Sequence, residues 1–342
     1  MKGYAVKLED QVMAGNTFGH RVKITTFGES HGEMTGVVID GLPSRFKINR
    51  EELTRYISRR KPGGAGTTAR HEEDEYRIVS GIKDDVTLGT PVTILFENKS
   101  ANPTEYEELK DVYRPGHADV TYDLKYGIRD ENGGGRASGR ETLSRVAAGG
   151  IVAQVLNEKG ITVETEIVEI GGIPADDKEK ISKLIDETKN AGDSLGGIIK
   201  CTIHGAPAGI GEPVFEKIDA VIASAVMSIG AVKGISFGEG FKSASMKGHE
   251  MNDPILEVTP TGIKTDDNHA GGILGGITTG EDIVFHVAVK PTPSISMEQR
   301  TVNKNNEPVT ISIKGRHDTC IALRIGVVIE SMALLAIINY MQ

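Results

Sequence analysis

The segment from Cys320 to Met341 limits the fold of this chain more than any other stretch. It is almost uniformly apolar and long enough to cross a bilayer, yet it carries Arg324 and Glu330. Two ionisable groups in such a run argue for a helix buried inside protein rather than one lying in lipid. A helix with no polar face belongs in the centre of a core.

The elements before it alternate in period. Arg21 to Phe27 and Met34 to Asp40 read as strands flanking the turn Gly28-Glu-Ser-His-Gly32. Asn49, with Glu52 three residues on, is a capping pair for a helix whose Leu53, Tyr56 and Ile57 share a face, ending near Lys61-Pro62-Gly63. Strands are expected at Tyr76–Ser80 and Pro91–Glu97, and 110–140 shows little regular periodicity. Ser138 and Glu141 form a capping box for a helix that buries Leu143, Val146, Ala147, Gly150, Ile151 and Val155 and stops at Gly160.

Beyond Ile161 come a strand, an amphipathic helix around Ile181, Leu184 and Ile185, and a strand at Gly197–Ile203. A helix follows with Ile218, Val221, Ile222, Ala225 and Ile229 on one face, and Ile283, Phe285, Val287 and Val289 alternate as a strand. Hairpin-like strands mixed with long buried helices predict an α+β fold rather than a parallel βαβ array. No internal repeat or linker divides the chain, so one large domain over 13–342 is expected. Residues 1–12 mix charges without an apolar run, unlike a signal peptide, and read as an extension or cloning remnant preceding a natural start at Met13.

Composition narrows the function. The net charge of -9 argues against nucleic acid as the main partner, since duplex binders carry a basic surplus. Arginines nevertheless cluster locally, which fits a small anionic ligand in a focused site. Two cysteines, Cys201 and Cys320, exclude a disulfide scaffold or cysteine zinc site and agree with a reducing cytoplasm. The 42 glycines fall in short clusters such as Gly133-Gly134-Gly135, where backbone can approach a ligand closely.

That glycine cluster runs into Arg136 and the expected helix start, where free N–H groups and a helix dipole favour an anion and Arg136 and Arg140 add charge. A flexible connector with solvated arginines is the bland alternative. His31 lies in a glycine-bounded turn between strands, a suitable place for an acid–base group, with Ser30 beside it as a donor. His117 lies in Arg114-Pro-Gly-His-Ala-Asp119, where Asp119 could orient the imidazole. For both histidines a structural turn residue is the competing reading.

Asp318, in Arg316-His-Asp318, is expected from local chemistry to cap the C-terminal helix. Arg59-Arg60-Lys61 fits a solvated helix end and an anion site equally well. Glu72-Glu73-Asp74-Glu75 and Asp266-Asp267 match no metal motif and read as surface. There is no P-loop and no glycine fingerprint for a dinucleotide fold. The residues alone therefore support an enzyme acting on a multiply anionic substrate, and leave open a flavin-free isomerase or lyase, or, less well, a polyanion-binding module.

Taken in order, these motifs resemble the chorismate synthase family. The resemblance runs from Met13-Ala-Gly-Asn-Thr-Phe-Gly19 and Thr25-Thr-Phe-Gly-Glu-Ser-His-Gly32 through Arg59-Arg-Lys-Pro-Gly63, Arg114-Pro-Gly-His-Ala-Asp119 and Gly133-Gly-Gly-Arg-Ala-Ser-Gly-Arg-Glu-Thr142. It continues with Gly211-Glu-Pro213, Met227-Ser-Ile-Gly-Ala-Val-Lys-Gly234, Asn268-His-Ala-Gly-Gly-Ile-Leu-Gly-Gly276, Lys290-Pro-Thr-Pro-Ser294 and Gly315-Arg-His-Asp318.

What the resemblance implies is a 1,4-elimination of phosphate from 5-enolpyruvylshikimate 3-phosphate to give chorismate, with reduced FMN as cofactor. It implies helices sandwiched between two antiparallel sheets, a homotetramer, an external flavin reductase with NADPH involved only through it, and no metal. His31 would assist the departing phosphate, His117 would keep the flavin correctly protonated, and Asp318 would act near flavin N5, against its local reading as a cap. Ser30, Arg60, Arg114, Arg140 and Arg145 would meet substrate, with Arg45 a weaker candidate. Arg136, Ala137, Ser138, Gly230, Ala231, Gly275, Lys290, Pro291, Thr292, Pro293, Ser294 and Arg316 would meet the flavin. The chain departs from the family in two places: no basic residue lies between Pro62 and Thr67, and Gly230 stands where relatives often have Asn.

Overall fold

The computed structural model describes residues 15–63, 66–67, 74–98, 109–313, 315 and 317–341. The expected extension at 1–12 and the candidate Arg316 lie outside them. The described α-helices run in chain order as α1 Arg50–Ser58, α2 Asp119–Tyr126, α3 Thr142–Asn157, α4 Lys178–Ala191, α5 Ile218–Met227, the short α6 Gly248–Met251 and α7 Gly326–Ile338.

Two five-stranded antiparallel sheets enclose the central helices. The N-terminal sheet has the order Thr17–Phe18, Lys23–Phe27, Met34–Asp40, Val92–Glu97, Tyr76–Ser80. In it Val37 stands opposite Ile94 and Ile39 opposite Val92, and all four are fully buried. The second sheet has the order Val232–Phe237, Ile283–Val289, Gly197–His204, Thr162–Ile170, Ile173–Pro174. Its Ile283, Phe285, Val287 and Val289 alternate inward, as a strand with one face on the core should.

Between the sheets, α3 rests on the first and α7 on the second, and the two helices pack on each other. From Val327 to Ile338 every residue of α7 is buried, which explains why it has no polar face. The two backbones approach closely at Gly149, where a Cβ would lie 2.3 Å from that of Ser331. Helices α1 and α5 flank this pair, α1 against α3 and α5 against α7. The expected α+β sandwich is thus the observed architecture. Among the described residues no helix is long and apolar enough to cross a membrane.

Local expectations fared unevenly. Asn49 does cap α1, accepting from the Glu52 N–H at 3.1 Å, while its own N–H donates to Gln154 at 2.8 Å. The Ser138–Glu141 capping box does not form. Ser138 accepts from the Arg140 N–H at 3.3 Å, but two short 3-10 turns precede α3, and Glu141 turns its carboxylate to Thr26 and Arg145 instead. The stretch 110–140 hides α2, whose Val120, Leu124 and Tyr126 are exposed while Asp119 is buried, so it presents no apolar stripe to read.

Candidate functional site

Loops from both sheets and the ends of α1, α3 and α5 meet around a cavity of about 610 Å³. Nine lysines and arginines and five carboxylates line it, an excess of four positive charges in a chain of net charge -9. Four of the five carboxylates are placed so that each serves one or two arginines. Asp74 bridges Arg60 at 2.9 Å and Arg140 at 2.6 Å. Asp119 takes both Nε and Nη2 of Arg114 at 2.7 Å and lies 3.7 Å from Arg129. Glu141 holds Arg145 at 2.7 Å and lies 3.6 Å from Arg136. Asp318 pairs with Arg324 at 2.6 Å.

These bonds settle several local alternatives. Asp74 is buried, not on the surface, whereas Asp266 and Asp267 are exposed as expected. Asp318 caps no helix, since the turn at Ile321–Leu323 and α7 follow Cys320 and Ile325 respectively. Asp119 does not orient His117; it is occupied by Arg114. Arg59 and Arg60 divide the two readings of their run. Arg60 lines the cavity, while Arg59 reaches Glu330 in the core.

His117 is oriented by the backbone. Its Nδ1 lies 3.0 Å from the Pro115 carbonyl, which can only accept, so Nδ1 carries the proton. Nε2 is then an acceptor, 2.9 Å from Ser294 Oγ. Burial, followed by the Arg114 charge, lowers the His117 pKa to about 4, so the ring is neutral near pH 7. Burial and then Lys233 also lower the pKa of Lys290, whose Nζ donates to the Gly116 carbonyl at 3.3 Å.

His31 stands behind the wall. Its ring packs on Gly133, where a Cβ would come within 2.4 Å of Nδ1, and Ser30 Oγ is 3.0 Å from the same nitrogen. Gly133 itself faces the cavity, so only a residue without a side chain can separate His31 from it so closely. Ala231 follows α5 at φ +73°, a left-handed conformation uncommon outside glycine, and its carbonyl accepts from Lys290 N.

Of the sequence candidates, the cavity gathers Arg60, Arg114, His117, Arg136, Ala137, Ser138, Arg140, Arg145, Gly230, Ala231, Lys290, Thr292, Pro293, Ser294 and Asp318. Ser30, His31, Pro291 and Gly275 are not on its wall, and Arg45 is exposed elsewhere. Gly275 turns an exposed hairpin whose Gly276 carbonyl accepts from Ile218 at the start of α5. The ten residues of α5, roughly 15 Å of helix, separate it from the Ser228–Ala231 wall at the other end.

The sequence reading missed Asp74, Arg129, Glu141 and Arg324 as wall residues. For Arg324 the signal was present, because a charge in an otherwise apolar segment has to find a partner.

Arg60 Nε, Arg129 Nη1, Arg136 Nε and Thr292 Oγ1 are buried on or beside this wall and have no hydrogen-bond acceptor among the described residues. Unmet donors beside a positive cavity suit a ligand rich in anionic oxygens. Among the described residues no group of three His, Cys, Asp or Glu could hold a metal ion.

A chorismate synthase family model matches residues 22–341, nearly the whole chain. The chain belongs to the chorismate synthase family. It is 46% identical over 347 residues to the chorismate synthase of Syntrophobacter fumaroxidans, covering 96% of this chain and 97% of the relative. The chorismate synthase of Lachnospira eligens is also 46% identical, with 96% and 95% covered. A solved chorismate synthase crystal structure superposes with a TM-score of 0.75 at 27% identity, covering 94% of this chain and 92% of that one. Membership in the chorismate synthase family makes the chain a carbon–oxygen lyase of the shikimate pathway, converting 5-enolpyruvylshikimate 3-phosphate to chorismate and phosphate.

Proposed function

We propose that the arginine-lined cavity is where this elimination occurs, with reduced FMN bound beside the substrate. The observation that carries the reading is the excess of four positive charges in the cavity wall of an acidic chain. The substrate brings a phosphate and two carboxylates and FMN a further phosphate, so several fixed cations are required. The unmet donors on Arg136 and Thr292 fit flavin oxygens, and those on Arg60 and Arg129 fit substrate anions. Arg114, Arg140 and Arg145, already fixed by carboxylates, meet the substrate without having to be ordered first.

In the reaction a C–O bond breaks, phosphate departs with the electron pair, a ring C–H gives up its proton, and a new C=C forms. When bound, reduced FMN would supply electron density to this elimination and a base for the ring proton. His117, neutral and with Nε2 turned to Ser294, holds a proton-accepting nitrogen on the wall where Lys290 to Ser294 would contact the flavin. Asp318, fixed by Arg324, is a carboxylate for proton handling on the same cavity wall. His31 and Ser30, immediately behind Gly133, serve the departing phosphate.

NADPH enters only through an external reductase that supplies the reduced flavin. The protein works in the cytoplasm as a homotetramer, with neither nucleic acid nor a membrane as partner. Anaerobic incubation with substrate and chemically reduced FMN should release chorismate and phosphate together, and neither without the reduced flavin. Turnover that ignores the flavin would overturn this reading in favour of a flavin-free lyase.

A further inference from the structure

Asp74 sits in a carboxylate run that resembles surface, yet only 1% of its side chain is exposed. Oδ2 accepts from Arg60 Nη2 at 2.9 Å and Oδ1 from Arg140 Nη1 at 2.6 Å. Arg140 Nε donates to Asn98 Oδ1 at 3.0 Å. The Asn98 amide donates in turn to the carbonyls of Glu29 at 3.1 Å and Gly32 at 2.8 Å, the residues that bracket Ser30 and His31. A guanidinium only donates and a carbonyl only accepts, so this orientation of the Asn98 amide satisfies all three contacts. At the other end, Arg324 Nη1 donates to the Arg60 carbonyl at 3.1 Å while its Nη2 binds Asp318 at 2.6 Å. One series of contacts therefore runs from Asp318 through Arg324, Arg60, Asp74, Arg140 and Asn98 to the turn of His31.

A carboxylate in an anion site is a liability by charge alone, because it repels the ligand that the arginines attract. Its place between two of them is understandable if it contributes geometry. Arg60 and Arg140 are like charges that would otherwise separate, and a shared carboxylate fixes both forks before the ligand arrives.

We propose that Asp74 and Asn98 are positioning residues for the substrate. Asp74 sets the spacing of Arg60 and Arg140, and Asn98 ties that pair to the turn carrying His31. The inference rests on the reading that the cavity takes the enolpyruvyl phosphate substrate. It makes a prediction opposite in sign to that of simple electrostatics. Asp74→Asn removes a negative charge from the wall, so a merely neutralising Asp74 would leave a variant that binds the substrate as well or more tightly. A positioning Asp74 gives weaker binding.

The test is titration calorimetry of 5-enolpyruvylshikimate 3-phosphate into wild type and Asp74→Asn with oxidised FMN present, with melting curves to establish that both are folded. The expected result is a Kd at least tenfold higher in the variant, and in turnover assays a loss in kcat/KM that falls mainly on KM. An unchanged or lower Kd overturns the proposal while the wild-type titration still supports the cavity as the substrate site. Failure of wild type to bind overturns the reading of the cavity and this inference with it. Should Asp74→Asn not fold, Asn98→Ala opens the same belt at its other end. There a Kd raised about threefold supports the proposal, and an unchanged Kd overturns it.

Discussion

Among the buried carboxylates that hold arginines, Glu330 and Asp74 end in opposite ways. Glu330, wholly buried in α7, takes both forks of Arg59 at 2.6 and 2.7 Å and the Thr165 hydroxyl at 2.6 Å. Burial works against the charged form of Arg59, but the Glu330 bonds outweigh it and raise the guanidinium pKa. Asp74 holds Arg60, one residue further on, yet the Arg60 Nε is left without an acceptor beside the cavity. Burial is the largest influence on Arg60 and lowers its pKa, with Asp74 opposing it. The first group joins helix and sheet; the second leaves a donor for something not part of the chain. Adjacent arginines can thus serve scaffold and site, and what separates them is the buried donor that Arg60 keeps unmet beside the cavity.

Several variants test how far that division holds. The largest effect is expected from His117→Ala, where loss of an acid–base group lowers kcat by about 10²–10⁴-fold, read in anaerobic turnover with little change in melting temperature. Next, Glu330→Ala should act on stability. Breaking a buried pair costs about 3–5 kcal/mol, and because 47% of the Arg59 side chain is exposed and can rehydrate, a loss near the lower end, roughly 3 kcal/mol, is expected from urea unfolding. A loss of activity without a loss of stability would erase the contrast with Asp74.

A smaller effect should follow pH. The folded pKa of His117, about 4, lies below the unfolded value of about 6.5, so the unfolded chain binds more protons between them. Stability from this residue is complete above the unfolded value and falls as pH drops through the window towards 4. By pH 5 the loss relative to pH 7 is about 2 kcal/mol. His117→Gln should flatten that part of the profile, and an unchanged slope in urea titrations would assign it to other groups. The mildest change, Gly133→Ala, should displace the His31 ring and lower kcat by about tenfold, leaving the Arg59–Glu330 pair and the stability it supports intact.

The periodic parts of the fold were legible because their side chains face one covering layer. Strands Met34–Asp40 and Tyr76–Ser80 were read to the residue, and the uniform apolarity of α7 pointed to its central place. What escaped was set by partners distant in sequence. Asp74 reads as one of four surface carboxylates until Arg140 arrives from 66 positions away. Glu141 has the spacing of a capping residue, but Thr26 from the first sheet and Arg145 one turn on compete for its oxygens and win. In α2 the buried side chain is a carboxylate rather than an apolar residue, so a period based on hydrophobicity passes over it. Most of the resemblance-derived wall residues converge on the cavity, while Gly275 sits at the far end of α5, a separation that local motif spacing does not encode.

The division between scaffold and site arginines is tested most directly by comparing Arg114→Ala and Arg59→Ala in substrate titrations with oxidised FMN present. Arg114 lines the cavity and Arg59 binds Glu330. Arg114→Ala is expected to weaken substrate binding by about a hundredfold, as fits the loss of a charge-assisted contact in the cavity wall. Folded Arg59→Ala should stay within about threefold of wild type, because its guanidinium is bound to Glu330 and does not line the cavity. Equal losses in the two variants, or a larger loss in Arg59→Ala, would contradict that division.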